Sequence, residues 1–324
     1  AIVMTLWYRY GTKQISGFMY GYGGLLSKFD LPVMELSPEI VSKIHNLGGT
    51  IIGASRGYGD RVEEIVDSLE RLKMNMLFII GGDGTQKGAM DIVEEAKRRN
   101  LKISIIGIPK TIDNDLNFVD KSFGFETAVS RAVDAVSCAH VEAHDGVNGI
   151  GIVKVMGRES GFIAANTALA INDVNYVLIP EVRFELEGEN GLLSNLERRL
   201  KQLNHAVILV AEGAGQEYMK DSKAIDESGN AKLNDIGVFL KERIGEYFKM
   251  RKIDINLKYI DPSYMIRSAP ANSNDSVYCT KLGAYAVHAA MAGKTGMIVS
   301  FINSHFVHVP IRLTVSGRKR VDSH

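Results

Sequence analysis

Two short apolar runs in this chain each end in a turn that carries glycine or carboxylate. Met76-Leu77-Phe78-Ile79-Ile80 leads into Gly81-Gly82-Asp83-Gly84-Thr85, and Ile103-Ser104-Ile105-Ile106-Gly107-Ile108 leads into Pro109-Lys110-Thr111-Ile112-Asp113-Asn114-Asp115. Runs this short and this apolar read as strands buried on both faces. A helical segment from about Gln86 to Arg99 lies between them. That order suits a parallel sheet covered by helices, the α/β class. In such sheets ligands bind beyond the carboxyl ends of the strands, and both turns lie there.

The residue types in these turns suit phosphoryl transfer. Glycines let backbone N–H groups approach phosphate, one carboxylate can hold a metal ion, and another can take a proton from a hydroxyl. Asp83 stands between Gly82 and Gly84, where phosphate can come close. Mg²⁺ usually takes one or two carboxylates, with phosphate oxygens and water completing its shell. Both aspartates also have plainer uses, Asp83 as a helix-start cap and Asp113 as a turn residue.

The alternation continues along the chain. Ile51-Ile52-Gly53 reads as a strand end, and Arg61 to Leu72 has a helical period through Val62, Ile65, Val66 and Leu69. Ser122 to Ala143 reads as a long helix leading into a second lobe, with strands at 149–156, 176–179 and 206–210 and helices from about Ser160 and over Ile236–Met250. Glu217 to Asn234 is polar without period and reads as a surface loop. Asp275–Ala292 reads as a helix, and Phe306 to Ile311 as a strand.

A length of 324 residues allows two domains. Formal net charge is zero, so nothing draws the chain as a whole to nucleic acid or to a membrane, and no apolar run approaches the length of a membrane-spanning helix. The first ten residues lack the order of a signal peptide. Cys138 and Cys279 sit in amphipathic segments and are expected to be buried reduced thiols, which agrees with a cytoplasmic location.

Together the two turns resemble those of the phosphofructokinase family. Met156-Gly157-Arg158, Pro180-Glu181-Val182, Ala211-Glu212-Gly213 and Tyr264-Met265-Ile266-Arg267 match the family in the same order, so the resemblance runs from about residue 1 to about residue 315. Lipid and NAD kinases carry something similar to the Gly-Gly-Asp-Gly turn. The Pro-Lys-Thr-Ile-Asp-Asn-Asp run is far more specific.

The resemblance implies two Rossmann-like lobes with mostly parallel sheets. Residues 1–125 with about 266–303 would form the phosphate-donor lobe, and about 126–265 with 304–324 the sugar-phosphate lobe. It implies Mg²⁺-dependent transfer of the γ-phosphoryl group of ATP to the 1-hydroxyl of fructose 6-phosphate, a step of glycolysis. Asp113 would be the base and Arg56 would contact the transferring phosphate, with Lys110 and Thr111 also catalytic. Gly81, Gly82, Asp83, Gly84, Thr85 and Gly88 would border the donor, with Asp83 on the metal. The acceptor would meet Thr111, Asp113, Asp115, Met156, Gly157, Arg158, Glu181, Lys258, Tyr264 and Arg267.

Departures from the pattern bear on partners and donor. Tyr264 stands where many bacterial relatives have histidine. Lys258 aligns with a basic residue that reaches a neighbouring subunit's sugar-phosphate pocket, while the usual second arginine has no counterpart near Asn148-Gly149-Ile150. A homo-oligomer, dimer or tetramer, is expected, and family members often take allosteric ligands. Pyrophosphate-dependent members typically carry aspartate at the Gly84 position and lysine at the Lys110 position. Here Gly84 leaves room for a nucleotide, and Lys110 occurs in both branches, so ATP is the expected donor. A pyrophosphate-dependent enzyme and a non-catalytic subunit of the same fold stay open as alternatives. Family members begin with a strand and a glycine-rich loop upstream of the segment that Ala1–Tyr10 resembles, so the chain is expected to be part of a longer one.

Overall fold

The apolar periods place most elements where they were expected. The computed structural model describes residues 1–219 and 233–322. It divides into two units, the first comprising Ala1–Glu126 and Ala269–Arg318, the second taking 127–219, 233–268 and 319–322 among the described residues.

In the first unit α1 (Ile2–Tyr10) precedes a small antiparallel pair, β1 (Ser16–Phe18) and β2 (Val33–Glu35). Ser37 caps the short α2 (Pro38–Val41), and α3 (Val62–Arg71) buries Ile65, Val66 and Leu69, the stripe its period predicted. Then β3 (Met76–Gly81), α4 (Asp83–Arg98) and β4 (Ser104–Pro109) follow, with β3 and β4 parallel and Gly81 opposite Pro109. Ile51-Ile52-Gly53 is not a strand end. It lies in a turn with Gly53 at φ 64°, joined to Tyr20 by one backbone bond from Tyr20 N–H to the Ile52 carbonyl.

Helix α5 (Phe125–Asp145) starts three residues after Ser122, because Gly124 has φ 90° and Ser122 is held in the preceding loop. The second unit continues through β5 (Gly149–Val155), α6 (Phe162–Ala170), β6 (Tyr176–Leu178), α7 (Leu192–Leu203), β7 (His205–Ala211), α8 (Ile236–Met250), β8 (Asn256–Ile260) and α9 (Ser263–Ser268). Its sheet is wholly parallel in the order β6-β7-β5-β8. One face packs Ile150, Ile152, Ile208 and Val210 against Leu196, Leu240, Ile244 and Phe248. Cys138 is exposed rather than buried, because Ala135, Val136 and Ala139 form the inner side of α5, and Cys279 is half-buried. The polar stretch from Glu217 falls largely outside the described residues.

The chain returns to the first unit through α10 (Ser273–Met291), β9 (Met297–Ile302), β10 (His305–Pro310) and α11 (Ile311–Thr314). This sheet runs β10-β9-β4-β3, with only β10 antiparallel. Residues 304–318 therefore belong to the first unit, not to the sugar-phosphate lobe as the resemblance implied. The cause is local: Asn303 and Ser304, at φ 47° and 66°, close a two-residue hairpin that pairs β10 with β9 along its whole length. No helix among the described residues is long and apolar enough to cross a membrane.

Candidate active site

At the carboxyl end of the first unit's sheet, β3 and β4 finish side by side. The Lys110 N–H donates to the Gly81 carbonyl at 3.0 Å, and the Gln86 side-chain amide donates to the Gly81 and Ile108 carbonyls at 3.1 and 3.2 Å. Gly82 is the N-cap of α4, which starts three residues earlier than expected. Asp83, Gly84 and Thr85 thus form its first turn, where N–H groups lack intrahelical partners and the dipole favours anions. Asp83 has a largely buried side chain with Lys87 Nζ at 2.8 Å and Arg318 at 3.9 Å. A Cβ on Gly84 would meet none of the described residues within 4 Å, whereas one on Gly88 would lie 2.9 Å from the Tyr22 ring and 3.3 Å from Gly59. Gly81 to Thr85 gather at one turn. Gly88 lies a turn further on, packed beneath Tyr22, whose hydroxyl donates to the Thr85 carbonyl at 2.6 Å.

The turn after β4 is pinned from within. Thr111 Oγ1 accepts from the Asp113 N–H at 3.2 Å and donates to Asp115 Oδ1 at 3.0 Å. Asn114 is buried at φ 54°, a left-handed conformation that asparagine tolerates. Its amide donates to the Asp120 carbonyl at 3.0 Å and its oxygen accepts from the Ser122 N–H at 2.9 Å. Ser122 Oγ donates to the Thr111 carbonyl at 2.6 Å. Lys110 is exposed, and so is Arg56 on the loop between Gly53 and Gly57. Asp83, Thr111, Asp113 and Asp115 therefore share one end of one sheet. Among the described residues no group of three or more His, Cys, Asp or Glu could hold a metal ion. A single, largely buried carboxylate, Asp83, at a helix start suits a Mg²⁺ ion that would take most of its ligands from phosphate oxygens and water.

The second unit's carboxyl end is more heavily charged. Met156, Gly157 and Arg158 follow β5, with Gly157 at φ 117° and its missing Cβ only 2.2 Å from the Ser160 carbonyl oxygen. The Glu181 carboxylate accepts from the Gly161 N–H, the N-cap of α6, at 2.9 Å and from the Val321 N–H at 2.9 Å. Lys154, the one charged residue of β5, lies 2.7 Å from Asp235 and 2.9 Å from Asp261. Burial works against the Lys154 charge, yet hydrogen bonds to Asp235, Asp261 and Tyr259 outweigh it and raise its pKa. The two aspartates are held below the usual carboxylate range: burial opposes the shift, and bonds from Lys154 with others from Val238, Tyr259 and Ser263 overcome it. Asp235 caps α8, and Asp261 accepts from the Ser263 N–H at 3.0 Å, which fixes the start of α9. That helix carries Tyr264 and Arg267, both exposed, and Lys258 is exposed on the edge strand β8. Glu212, just past β7, is pushed up by burial against the pull of Arg267, Arg158 and Lys154.

Sequence reasoning assigned no role to Glu212, Gln86, or Lys154 with its aspartates. Signals existed for two of them. Lys154 interrupts an otherwise apolar strand, and a buried ammonium needs partners. Gln86 falls on the core face of α4 with Ala89, Ile92, Val93 and Ala96.

A phosphofructokinase family model matches residues 1–290. The chain is 57% identical to an ATP-dependent 6-phosphofructokinase of Borreliella burgdorferi, over 99% of this chain and 73% of that protein. It is 51% identical to ATP-dependent 6-phosphofructokinase 7 of Arabidopsis thaliana and 48% identical to an ATP-dependent 6-phosphofructokinase of Trypanosoma brucei brucei, covering 95% and 97% of this chain. It spans 64% of the length of each of those two relatives. Among solved structures, a pyrophosphate-dependent phosphofructokinase from Marinobacter aquaeolei superposes with TM-score 0.81 at 20% identity, over 99% of this chain and 80% of that one. The Pichia pastoris phosphofructokinase in the T-state superposes with TM-score 0.78 at 22% identity, over 97% of this chain and 33% of that one. At these identities the structural likeness speaks for the fold.

Proposed function

The chain belongs to the phosphofructokinase family, and we propose that it transfers the γ-phosphoryl group of ATP to the 1-hydroxyl of fructose 6-phosphate, giving fructose 1,6-bisphosphate and ADP. The observation that carries this reading is the pairing of two turns at one sheet end, one with Asp83 at a helix start and one with Asp113 in a pinned loop.

The first unit takes the donor. N–H groups of Gly82 to Thr85 bind its phosphates, aided by the dipole of α4. Asp83 would hold Mg²⁺; its carboxylate lies 2.8 Å from Lys87 Nζ and 3.9 Å from Arg318. When bound, Mg²⁺ neutralises charge that develops on the β- and γ-oxygens. Asp113 accepts the proton of the sugar 1-hydroxyl, with its backbone fixed by Thr111 and with Asp115 orienting the Thr111 hydroxyl. Arg56 and Lys110 are the cations assigned to the transferring group. ATP is favoured over pyrophosphate because the position beside Asp83 is open: Gly84 has no neighbour within 4 Å of where a Cβ would stand.

The second unit takes the acceptor. Met156, Gly157 and Arg158 offer backbone groups and a guanidinium, and Tyr264, Arg267 and Lys258 face solvent where a sugar phosphate can approach. Glu181 shapes this site by anchoring the start of α6. A cytoplasmic homo-oligomer, dimer or tetramer, working in glycolysis is part of the same proposal. A coupled assay with fructose 6-phosphate, Mg²⁺ and either ATP or pyrophosphate tests it. Turnover with ATP is expected. Turnover with pyrophosphate alone would reassign the donor, and turnover with neither would leave the non-catalytic reading.

A further inference from the structure

Gln86 is wholly buried on the core face of α4, among Ala89, Ile92 and Val93. Its two amide hydrogens go to two different strands, one to the Gly81 carbonyl at the end of β3 and one to the Ile108 carbonyl near the end of β4. The orientation of the amide is fixed, since the reverse would set its oxygen against two carbonyl oxygens. Its backbone N–H donates to the Gly82 carbonyl at 2.9 Å. One residue thus ties together the strand and the helix start that bound the Gly81–Thr85 turn, and the strand that delivers Lys110–Asp115.

The arrangement is retained at a cost. The Gln86 side-chain oxygen is buried and has no hydrogen-bond partner among the described residues. A leucine or methionine would fill the same space but would take the side-chain donor away from the Gly81 and Ile108 carbonyls, so volume alone does not account for glutamine here. β4 carries glycine beside it: a Cβ on Gly107 would lie 2.2 Å from that oxygen and 2.6 Å from the Ile298 side chain.

We propose that Gln86 is a positioning residue for phosphoryl transfer, whose buried amide sets the separation between the turn bearing Asp83 and the turn bearing Asp113. This rests on the phosphoryl-transfer reading above. A phosphoryl transition state is stabilised mainly by placement, and a displacement of about 1 Å can cost a hundredfold in rate.

The test uses the full chain with three substitutions: Gln86→Met, Gln86→Glu and Gly107→Ala. Gln86→Met keeps the volume and removes both donors. Its kcat should fall by about tenfold or more, while KM for ATP and for fructose 6-phosphate stays within about threefold of wild type. Gln86→Glu should gain activity relative to wild type as pH falls, because the neutral acid restores one of the two bonds and the ionised form restores neither. Gly107→Ala, which crowds both the Gln86 amide and Ile298, should reproduce the kcat defect, and Gly107→Ala combined with Gln86→Met should add little to the kcat loss of Gln86→Met alone. An unchanged kcat in Gln86→Met with only a lowered Tm would reduce Gln86 to a structural residue and overturn the proposal. A pH profile of Gln86→Glu parallel to wild type would do the same. Failure of all three variants to fold would also count against it, since the proposal assigns Gln86 to the spacing of the turns and not to the existence of the sheet. Wild-type turnover judges the function itself, and the variant-to-wild-type ratio judges Gln86.

Discussion

The two sheets end in different materials. Around β3 and β4 the scaffold is made of neutral hydrogen bonds: the Gln86 amide, the Lys110 backbone N–H, the Thr111 hydroxyl, and Asn114 with Ser122. Past β5, β7 and β8 it is made of ions: Lys154 between Asp235 and Asp261, and Glu212 facing Arg158 and Arg267. Neutral hydrogen bonds keep their geometry as pH changes, so on this side only the Asp83–Lys87 pair and the Thr111–Asp115 bond depend on charge. The geometry of an ionic scaffold depends on which groups carry protons. Under the proposed function the difference would separate chemistry from recognition, and it can be broken from either side.

The largest effect is expected from Asp113→Asn. Removing the proton acceptor should lower kcat by roughly a hundredfold or more, with nucleotide binding and thermal stability near wild type. Single-turnover kinetics check this, and a near wild-type rate would take the base away from the first unit. Next is Gly84→Asp, which adds a second carboxylate to the turn that already carries Asp83. A carboxylate filling the open space beside the donor should cut kcat/KM for ATP by about tenfold or more through shape and like charge. Rates with both donors are the measurement, and an unchanged ATP value would show that Gly84 does not border the nucleotide.

The smaller effect tests the ionic side. Lys154→Met should raise KM for fructose 6-phosphate several-fold with little change in KM for ATP, since Asp261, which holds the start of α9, would lose its ammonium partner. It should cost about 2 kcal/mol in stability, less than for a fully buried pair because both aspartates are partly exposed. The pH dependence has a definite sign. Asp235 and Asp261 have folded-state pKa values below their ordinary ones, so their contribution is present above about pH 4 and is lost as pH falls through the depressed values. Without Lys154 the depression shrinks, and acid unfolding should begin at a higher pH. Acid titrations followed by circular dichroism for wild type and variant check this.

Much of the scaffold was legible because its periods are strong. Helix α8 spans Ile236–Met250 as read from sequence, and β3, β4, β5 and β7 lie within a residue or two of their predicted bounds. Elements set by distant partners were not legible. β1 and β2 are three residues long and carry no apolar run. The resemblance sets β10 in the other lobe, and its sequence does not correct this because the hairpin turn, Asn303-Ser304, has no glycine to mark it. The start of α4 was read three residues late, because Gly82 caps it with backbone alone and no capping side chain marks the place. At the site, the motif residues could be named but their attachments could not. Glu181 looks like a free loop carboxylate in sequence, yet its partners Gly161 and Val321 lie 20 and 140 residues away.

The central claim is that donor chemistry belongs to the first unit and acceptor recognition to the second. Calorimetric titration of Asp83→Asn and Arg267→Ala with MgATP and with fructose 6-phosphate tests it most directly. Asp83→Asn should weaken MgATP binding and leave fructose 6-phosphate binding as in wild type. Arg267→Ala should do the reverse, losing about 1.5–3 kcal/mol toward the sugar phosphate, the worth of a hydrogen bond to a charged group. Weakened MgATP binding by Arg267→Ala, with fructose 6-phosphate binding untouched, would contradict the division.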